Sequence, residues 1–380
     1  MNAVEIKKDV YWVGAIDWNI RSFHGYLTQR GATYNSYLII DKEITLIDTV
    51  KVTHKDELIK RISSIIDPSK IDNIICNHVE MDHSGSLTAI AKLCPNAKIY
   101  CSLKAVEGLK LHYNYDFNLF PVNTGDLITI GARTLNFVST PMVHWPDNMV
   151  TYCGEDKILF SNDSFGQHIA SFERFDDEYP LDISMEEAKK YYANIVLPFG
   201  NMVKNELAAA QKLDIKIIAP SHGLIWRENT AKIVEKYCHW SENKVKEKAV
   251  IVYDTMWGST EKIAFGLADY FENQNIKFEL LNLQKTHISD IMTYVLESKY
   301  ICVGSPTLNN NMLPTVSAFL TYLKGLAPKN RVGVAFGSYG WSGQSVRQID
   351  GILKEAGFET REILRYQYIP SEEVLGNITL

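Results

Sequence analysis

Short apolar runs rich in β-branched residues recur between Val10 and about Trp240, among them Tyr37–Ile40, Ile44–Ile47, Ile71–Cys76, Ile99–Cys101, Leu127–Ile130, Leu135–Val138 and Met149–Tyr152. Their length and composition predict strands. Segments with helical spacing, such as Lys55–Ile66 and Gly85–Leu93, interrupt them. Strands in clusters with helices between them predict an α/β fold, an αββα sandwich of two sheets with helices outside. Functional side chains then belong on loops at one sheet edge.

Around Ser241–Lys248 the apolar content gives way to charge, the mark of a linker or an exposed helix end, and the domain boundary is expected there, between 1–246 and 247–380. Beyond it the rhythm becomes strict alternation. Strands are expected at Ala249–Tyr253, Lys277–Leu283, Tyr300–Val303, Val332–Phe336 and Glu362–Tyr368, with helices at Glu261–Phe271, Ile288–Leu296, Pro314–Leu323 and Ser345–Ala356. Parallel neighbours need a crossover connection, so this order predicts a doubly wound, five-stranded parallel sheet.

Composition bounds the partners. With 380 residues, 46% of them hydrophobic and 22% charged, the chain can bury more than one core, which agrees with two domains. A net charge of −6 argues against nucleic acid or an anionic membrane as the main partner, since both want a basic face. No apolar run reaches the ~18 residues of a spanning helix. The N-terminus Met1–Lys8 has no signal-peptide core, so cytoplasm is the expected location. Cys76, Cys94, Cys101, Cys153, Cys238 and Cys302 are scattered without a C-x-x-C pair and read as small core residues in a reducing compartment. The chain therefore carries no Cys₄ module, and an iron–sulfur-type donor of single electrons would be another protein.

The densest chemistry is the string His78-Val79-Glu80-Met81-Asp82-His83, directly after Ile71–Cys76. Two imidazoles and two carboxylates this close repel or desolvate one another unless a cation offsets them, and mixed nitrogen and oxygen donors suit iron, manganese or zinc. The alternative is a polar loop whose charges happen to cluster. Distant partners favour the metal: His144, Asp163 and His222 each sit at the end of an apolar run, where a strand would deliver them to a sheet edge. Singly, each is more often a cap or a hydrogen-bonded loop residue.

A second site is expected in the C-terminal half. Thr255, Met256, Trp257, Gly258, Ser259 and Thr260 lie between its first strand and first helix. Hydroxyls and free N–H groups at a helix start form an anion pocket, and the lack of a G-x-x-x-x-G-K-[ST] lysine favours a monophosphate over a nucleoside triphosphate. Two further strand ends reach the same edge, bringing Ser305, Pro306, Thr307, Leu308, Asn309 and Asn310, and Ser338, Tyr339, Gly340 and Trp341. Aromatic side chains there can flank a planar ring, so phosphate plus ring at the carboxyl edge of a parallel sheet points to flavin mononucleotide (FMN).

These residues, with Asp17–Arg21, Gly31–Tyr37, His144-Trp-Pro-Asp147, Asn162–His168 and Ser221-His-Gly223, resemble the flavodiiron proteins (A-type flavoproteins) over nearly the whole chain. That resemblance implies a metallo-β-lactamase-like domain holding two non-haem irons, followed by a flavodoxin-like domain holding FMN. Position by position, His78, Glu80, His144 and Asp163 resemble the ligands of one iron, and Asp82, His83, Asp163 and His222 those of the other, with Asp163 bridging. Zinc hydrolases of the same fold are similar to H-x-H-x-D-H; Glu80 replaces an imidazole by a hard carboxylate, which favours iron. The implied activity is reduction of dioxygen to water or of nitric oxide to nitrous oxide, with FMN relaying electrons. His168 and Tyr191 match positions that hydrogen-bond near the irons. The resemblance further implies a head-to-tail homodimer, extending in some cases to a dimer of dimers, and an external donor, either a rubredoxin-like protein or a reduced deazaflavin coenzyme. One departure stands out: only Ser371–Leu380 follow the last strand, room for a helix of at most ~15 Å, so the closing flavodoxin helix is expected to be shortened or absent.

Two other classes fit parts of the sequence. A di-zinc hydrolase with an appended flavodoxin predicts zinc and no oxidase activity. An electron carrier with a structural N-terminal domain predicts flavin alone.

Overall fold

The computed structural model describes residues 1–380 as two compact units. The first comprises Met1–His24, Thr28–Tyr191 and Asn201–Cys238; the second comprises Gly25–Leu27, Tyr192–Gly200 and His239–Leu380. The charged stretch Ser241–Lys248 closes the helix Thr230–Ser241 and then opens the strand Lys246–Tyr253.

The first unit stacks two sheets. One has seven strands in the order Val4–Lys7, Val10–Trp12, Tyr37–Ile39, Thr45–Ile47, Asn73–Cys76, Lys98–Ser102 and Leu119–Val122, antiparallel as far as Thr45–Ile47 and parallel beyond it. The other orders Leu127–Thr129, Thr134–Ser139, Met149–Cys153, Ile158–Asn162 and Ile217–Pro220, with only the last pair parallel. Alternation along the strands divides the cores. Leu38, Leu46 and Ile74 face the helices Lys55–Ser63 and Leu87–Leu93 through Leu58, Ile62 and Ile90, while Ile39, Ile47 and Ile75 turn inward to Phe137, Phe160 and Ala219. A period of two sends successive side chains to opposite faces, and each buried side chain of this size contributes about 1.5–3 kcal/mol. The αββα sandwich expected from the strand clusters is what forms.

The second unit is a parallel sheet in the order Lys277–Asn282, Lys246–Tyr253, Ser298–Gly304 and Val332–Tyr339, so the second strand lies outside the first. This is the flavodoxin-like winding, whose switch point lies between the first and third strands. The fifth strand, expected as one run, is two pieces, Glu359–Thr360 and Leu364–Gln367, both paired with Val332–Tyr339. The chain closes with the short helix Glu372–Gly376. Gly266 on the helix Ser259–Asn273 leaves room for Leu375 and Ile378, and Ile378 completes the core on that face. No helix is long and apolar enough to cross a membrane.

Candidate metal centre and cofactor cavity

Strand ends deliver the predicted donors. Asn73–Cys76 leads into His78 and Glu80, and the single turn Met81–Ser84 carries Asp82 and His83. The loop after Thr134–Ser139 brings His144, Ile158–Asn162 ends at Asp163, and Ile217–Pro220 leads to His222. All seven converge, and Asp163 lies at their centre. Its Oδ2 is 3.3 Å from His144 Nε2 and 3.7 Å from His78 Nε2, and these imidazoles face Glu80 Oε2 at 3.2 and 3.3 Å. Its Oδ1 is 3.2 Å from His83 Nε2 and 3.4 Å from His222 Nε2, which face Asp82 at 3.3 and 3.2 Å. The central Asp163 carboxylate divides the other six side chains into two sets, each of two imidazoles and one further carboxylate.

Asp82 Oδ1 and Oδ2, His83 Nε2 and Asp163 Oδ2 are buried with no hydrogen-bond partner. Neighbouring polar atoms that make no bond point at shared space, and each unpaired atom costs about 1–3 kcal/mol. A divalent cation in each set would satisfy them, and the oxygen-rich donors fit iron. Electrostatics agree. Burial opposes charge on His144 and His222, yet the facing carboxylates of Asp163, Glu80 and Asp82 push their pKa values up to about 9 and about 10. Burial likewise opposes ionisation of Asp163 and Glu80, but the imidazoles hold both below the usual carboxylate range. Without a cation these imidazoles keep protons that a metal would expel.

Residues to which the sequence assigned no individual role brace this centre. Asp147 Oδ2 accepts from His78 Nδ1 at 2.9 Å and from Val79 N–H at 2.8 Å, and Thr33 O accepts from His222 Nδ1 at 2.7 Å. Beneath the donors, buried Asp48 accepts from the Asn77 backbone N–H at 2.7 Å and side chain at 3.0 Å, and from Asn162 Nδ2 at 3.5 Å. Asn162 Nδ2 also donates to Ser221 Oγ at 3.1 Å, and Asn148 Nδ2 donates to Asn162 Oδ1 at 3.1 Å. One polar cluster thus ties together the residues preceding His78, Asp163 and His222. Its only trace in the sequence is an asparagine directly before a donor at two strand ends. His24 was also missed: its Nε2 lies 2.7 Å from Glu80 Oε1. Of the two predicted hydrogen-bonding residues, Tyr191 donates to Asp163 Oδ1 at 3.0 Å. The His168 ring lies 5.1 Å from those of Tyr191 and His222, and burial and the His222 charge hold its pKa well below the usual imidazole value.

In the second unit the three predicted loops enclose a cavity of about 470 Å³, lined by Thr255, Met256, Trp257, Ser259, Pro306, Thr307, Leu308, Asn309, Ser338, Tyr339, Gly340 and Trp341. Gly258, Thr260, Ser305 and Asn310 shape the loops without lining it. Gly258 takes φ 83° as the N-cap of Ser259–Asn273, a conformation glycine adopts freely, and its N–H donates to Thr255 Oγ1 at 3.1 Å. Thr260 Oγ1 and Ser338 Oγ, 3.0 Å apart, join the first and third loops, and Ser305 Oγ accepts from Leu313 N–H at 2.9 Å. Asn310 turns its chain at φ 61°. Trp257 is 92% and Trp341 79% exposed, as rings that wait to flank a planar group would be. Tyr368 lines the cavity too; its sole signal was its place at the carboxyl end of the last expected strand. Asp254, also unforeseen, accepts from Thr255 N–H at 2.7 Å and Gln284 Nε2 at 2.6 Å and so fixes the start of the phosphate loop.

Residues 32–223 match the family described as ODP family beta lactamase, and residues 251–375 match Flavodoxin. A nitric oxide reductase of Moorella thermoacetica is 48% identical, over 94% of this chain and 90% of its own. A rubredoxin-oxygen oxidoreductase of Megalodesulfovibrio gigas is 41% identical, over 94% and 91%. The crystal structure of the flavodiiron protein from Giardia intestinalis superposes with a TM-score of 0.97 at 36% identity, over 99% of this chain and 93% of that one.

Proposed function

Because the chain belongs to the flavodiiron proteins, we propose that residues 1–246 hold two irons, that residues 247–380 hold FMN, and that together they reduce dioxygen or nitric oxide. The protein is an oxidoreductase. When bound, the irons supply paired electrons to a diatomic substrate and FMN passes them electrons from outside. His78, Glu80, His144 and Asp163 hold one iron; Asp82, His83, Asp163 and His222 hold the other. The observation that carries this reading is the Asp163 carboxylate, each of whose oxygens faces its own pair of imidazoles. Asp147 and the Thr33 carbonyl orient His78 and His222, fixing which ring nitrogen is free for metal. The Tyr191 hydroxyl donates its proton to Asp163 Oδ1, and the neutral His168 ring lies beside those of Tyr191 and His222.

At the FMN cavity, Thr255, Ser259 and the helix start at Gly258 take the phosphate, while Trp257, Tyr339 and Trp341 flank the ring. Electron transfer weakens steeply with distance, which supports a head-to-tail homodimer, or a dimer of such dimers, bringing the flavin of one subunit to its partner's irons. The external donor is a rubredoxin-like protein or a reduced deazaflavin coenzyme, and the location is the cytoplasm.

Metal analysis with an absorbance spectrum of the purified protein tests the reading. Two irons and one FMN per chain, with anaerobic stopped-flow oxidation by dioxygen or nitric oxide, support it. Zinc with no reductase turnover overturns it in favour of a hydrolase, and flavin with an empty metal site overturns it in favour of an electron carrier.

A further inference from the structure

A second cavity in the first unit involves none of the seven donors. It measures about 490 Å³, at the strand Val4–Lys7 that edges the seven-stranded sheet, and its lining includes Trp12, Trp18, Arg61, Phe172 and Arg174. Trp12 is a buried floor, whereas Phe172 is 87% and Trp18 50% exposed. Large aromatic side chains left in water around a cavity mark a surface that a ligand covers.

The charges in this cavity are only partly paired. The guanidinium groups of Arg61 and Arg174 lie 4.6 and 4.5 Å from the centroid of the Trp12 ring. Arg61 Nη1 donates to Asn2 O at 2.6 Å, its Nη2 is 3.8 Å from Glu57 Oε2, and Arg174 Nη2 donates to Ser171 O. Arg61 Nε and Arg174 Nη1, however, are buried with no hydrogen-bond partner, and Arg174 as a residue is only 3% exposed. Stacking on Trp12 satisfies the faces of the guanidinium planes and leaves these N–H groups unpaired. Glu57 is the one carboxylate of the lining against two guanidiniums. Burial and the Arg61 charge push the Arg174 pKa down to about 10, a cost that an anion would relieve.

We propose that this cavity binds a small aromatic carboxylate, its ring against the exposed Trp18 and Phe172 and its carboxylate drawn to the positive charge of Arg61 and Arg174. Guanidinium matches carboxylate in planar, charge-assisted geometry, and Trp18 and Phe172 supply stacking area for the ring. None of the seven donors and none of the residues lining the flavin cavity lines this site.

Calorimetric titration of the metal- and FMN-loaded protein with benzoate and with indole-3-acetate, followed in parallel by tryptophan fluorescence, tests the proposal. Saturable binding of one ligand per chain is expected. Benzamide, the neutral counterpart of benzoate, and Arg61→Met each weaken binding about tenfold or more, the loss of one charge-assisted bond. Phe172→Ala, an exposed change that leaves the fold intact, weakens it as well. No saturable binding up to about 10 mM, equal affinity for benzamide, or wild-type affinity in both variants would overturn the proposal.

Discussion

Replacing Asp147 tests whether the outer hydrogen bonds or the donors alone hold the metal. Asp147 is buried, and one of its oxygens takes both the His78 Nδ1 proton at 2.9 Å and the Val79 N–H at 2.8 Å. Asp147→Leu keeps the branched shape, in a larger side chain, and removes the acceptor, so His78 loses its orientation and two buried donors are left unpaired. A hydrogen bond to a charged group contributes about 1.5–3 kcal/mol. At ~1.4 kcal/mol per decade, this predicts iron affinity about ten- to a hundredfold weaker at the His78 set. Asp147→Asn keeps an acceptor and loses only the charge, so it should fall between Leu and wild type. Iron retention against a graded chelator is the assay, with FMN absorbance as the internal control that the second unit is intact. Wild-type chelator resistance in Asp147→Leu would refute the reasoning.

Glu80→His should lower iron occupancy and abolish reductase turnover while FMN stays bound, because it removes a hard oxygen donor; full turnover in that variant contradicts the assigned role. The metal-free protein should lose stability with rising pH. His144 and His222 have folded-state values of about 9 and about 10 against ~6.5 unfolded, so their stabilisation is full below ~6.5 and vanishes as pH climbs through 9 and 10. Melting temperatures of metal-free and iron-loaded protein across pH 6–10 check this, and parallel curves contradict it, since bound metal already displaces those protons. Trp341→Ala should weaken FMN binding by up to about tenfold, the worth of one aromatic contact, with iron content unchanged; flavin fluorescence recovery on dilution measures it.

The sequence by itself determined the two layer architectures and placed seven candidate donors at or just after strand ends, where the fold brings them together. Period-two alternation in runs such as Tyr37–Ile40 and Ile71–Cys76 dictates which face of a strand is buried, and a donor placed at a strand's end inherits its position from that strand. Chemistry concentrated in His78–His83 was legible because four ionisable groups in six residues have few other reasons to coexist. Tertiary structure alone decided which distant groups act on them. Asp48 is separated from Asn77 by 29 residues and Asp147 from His78 by 69, and no local pattern encodes a hydrogen bond across such distances. The same holds for His24 on Glu80, for Tyr368 in the flavin cavity, and for Arg61 and Arg174 around Trp12: each is an unremarkable residue in its own segment, given its role by packing between segments. Local periodicity governs burial, whereas the partners of a buried polar atom depend on how separate strands are stacked.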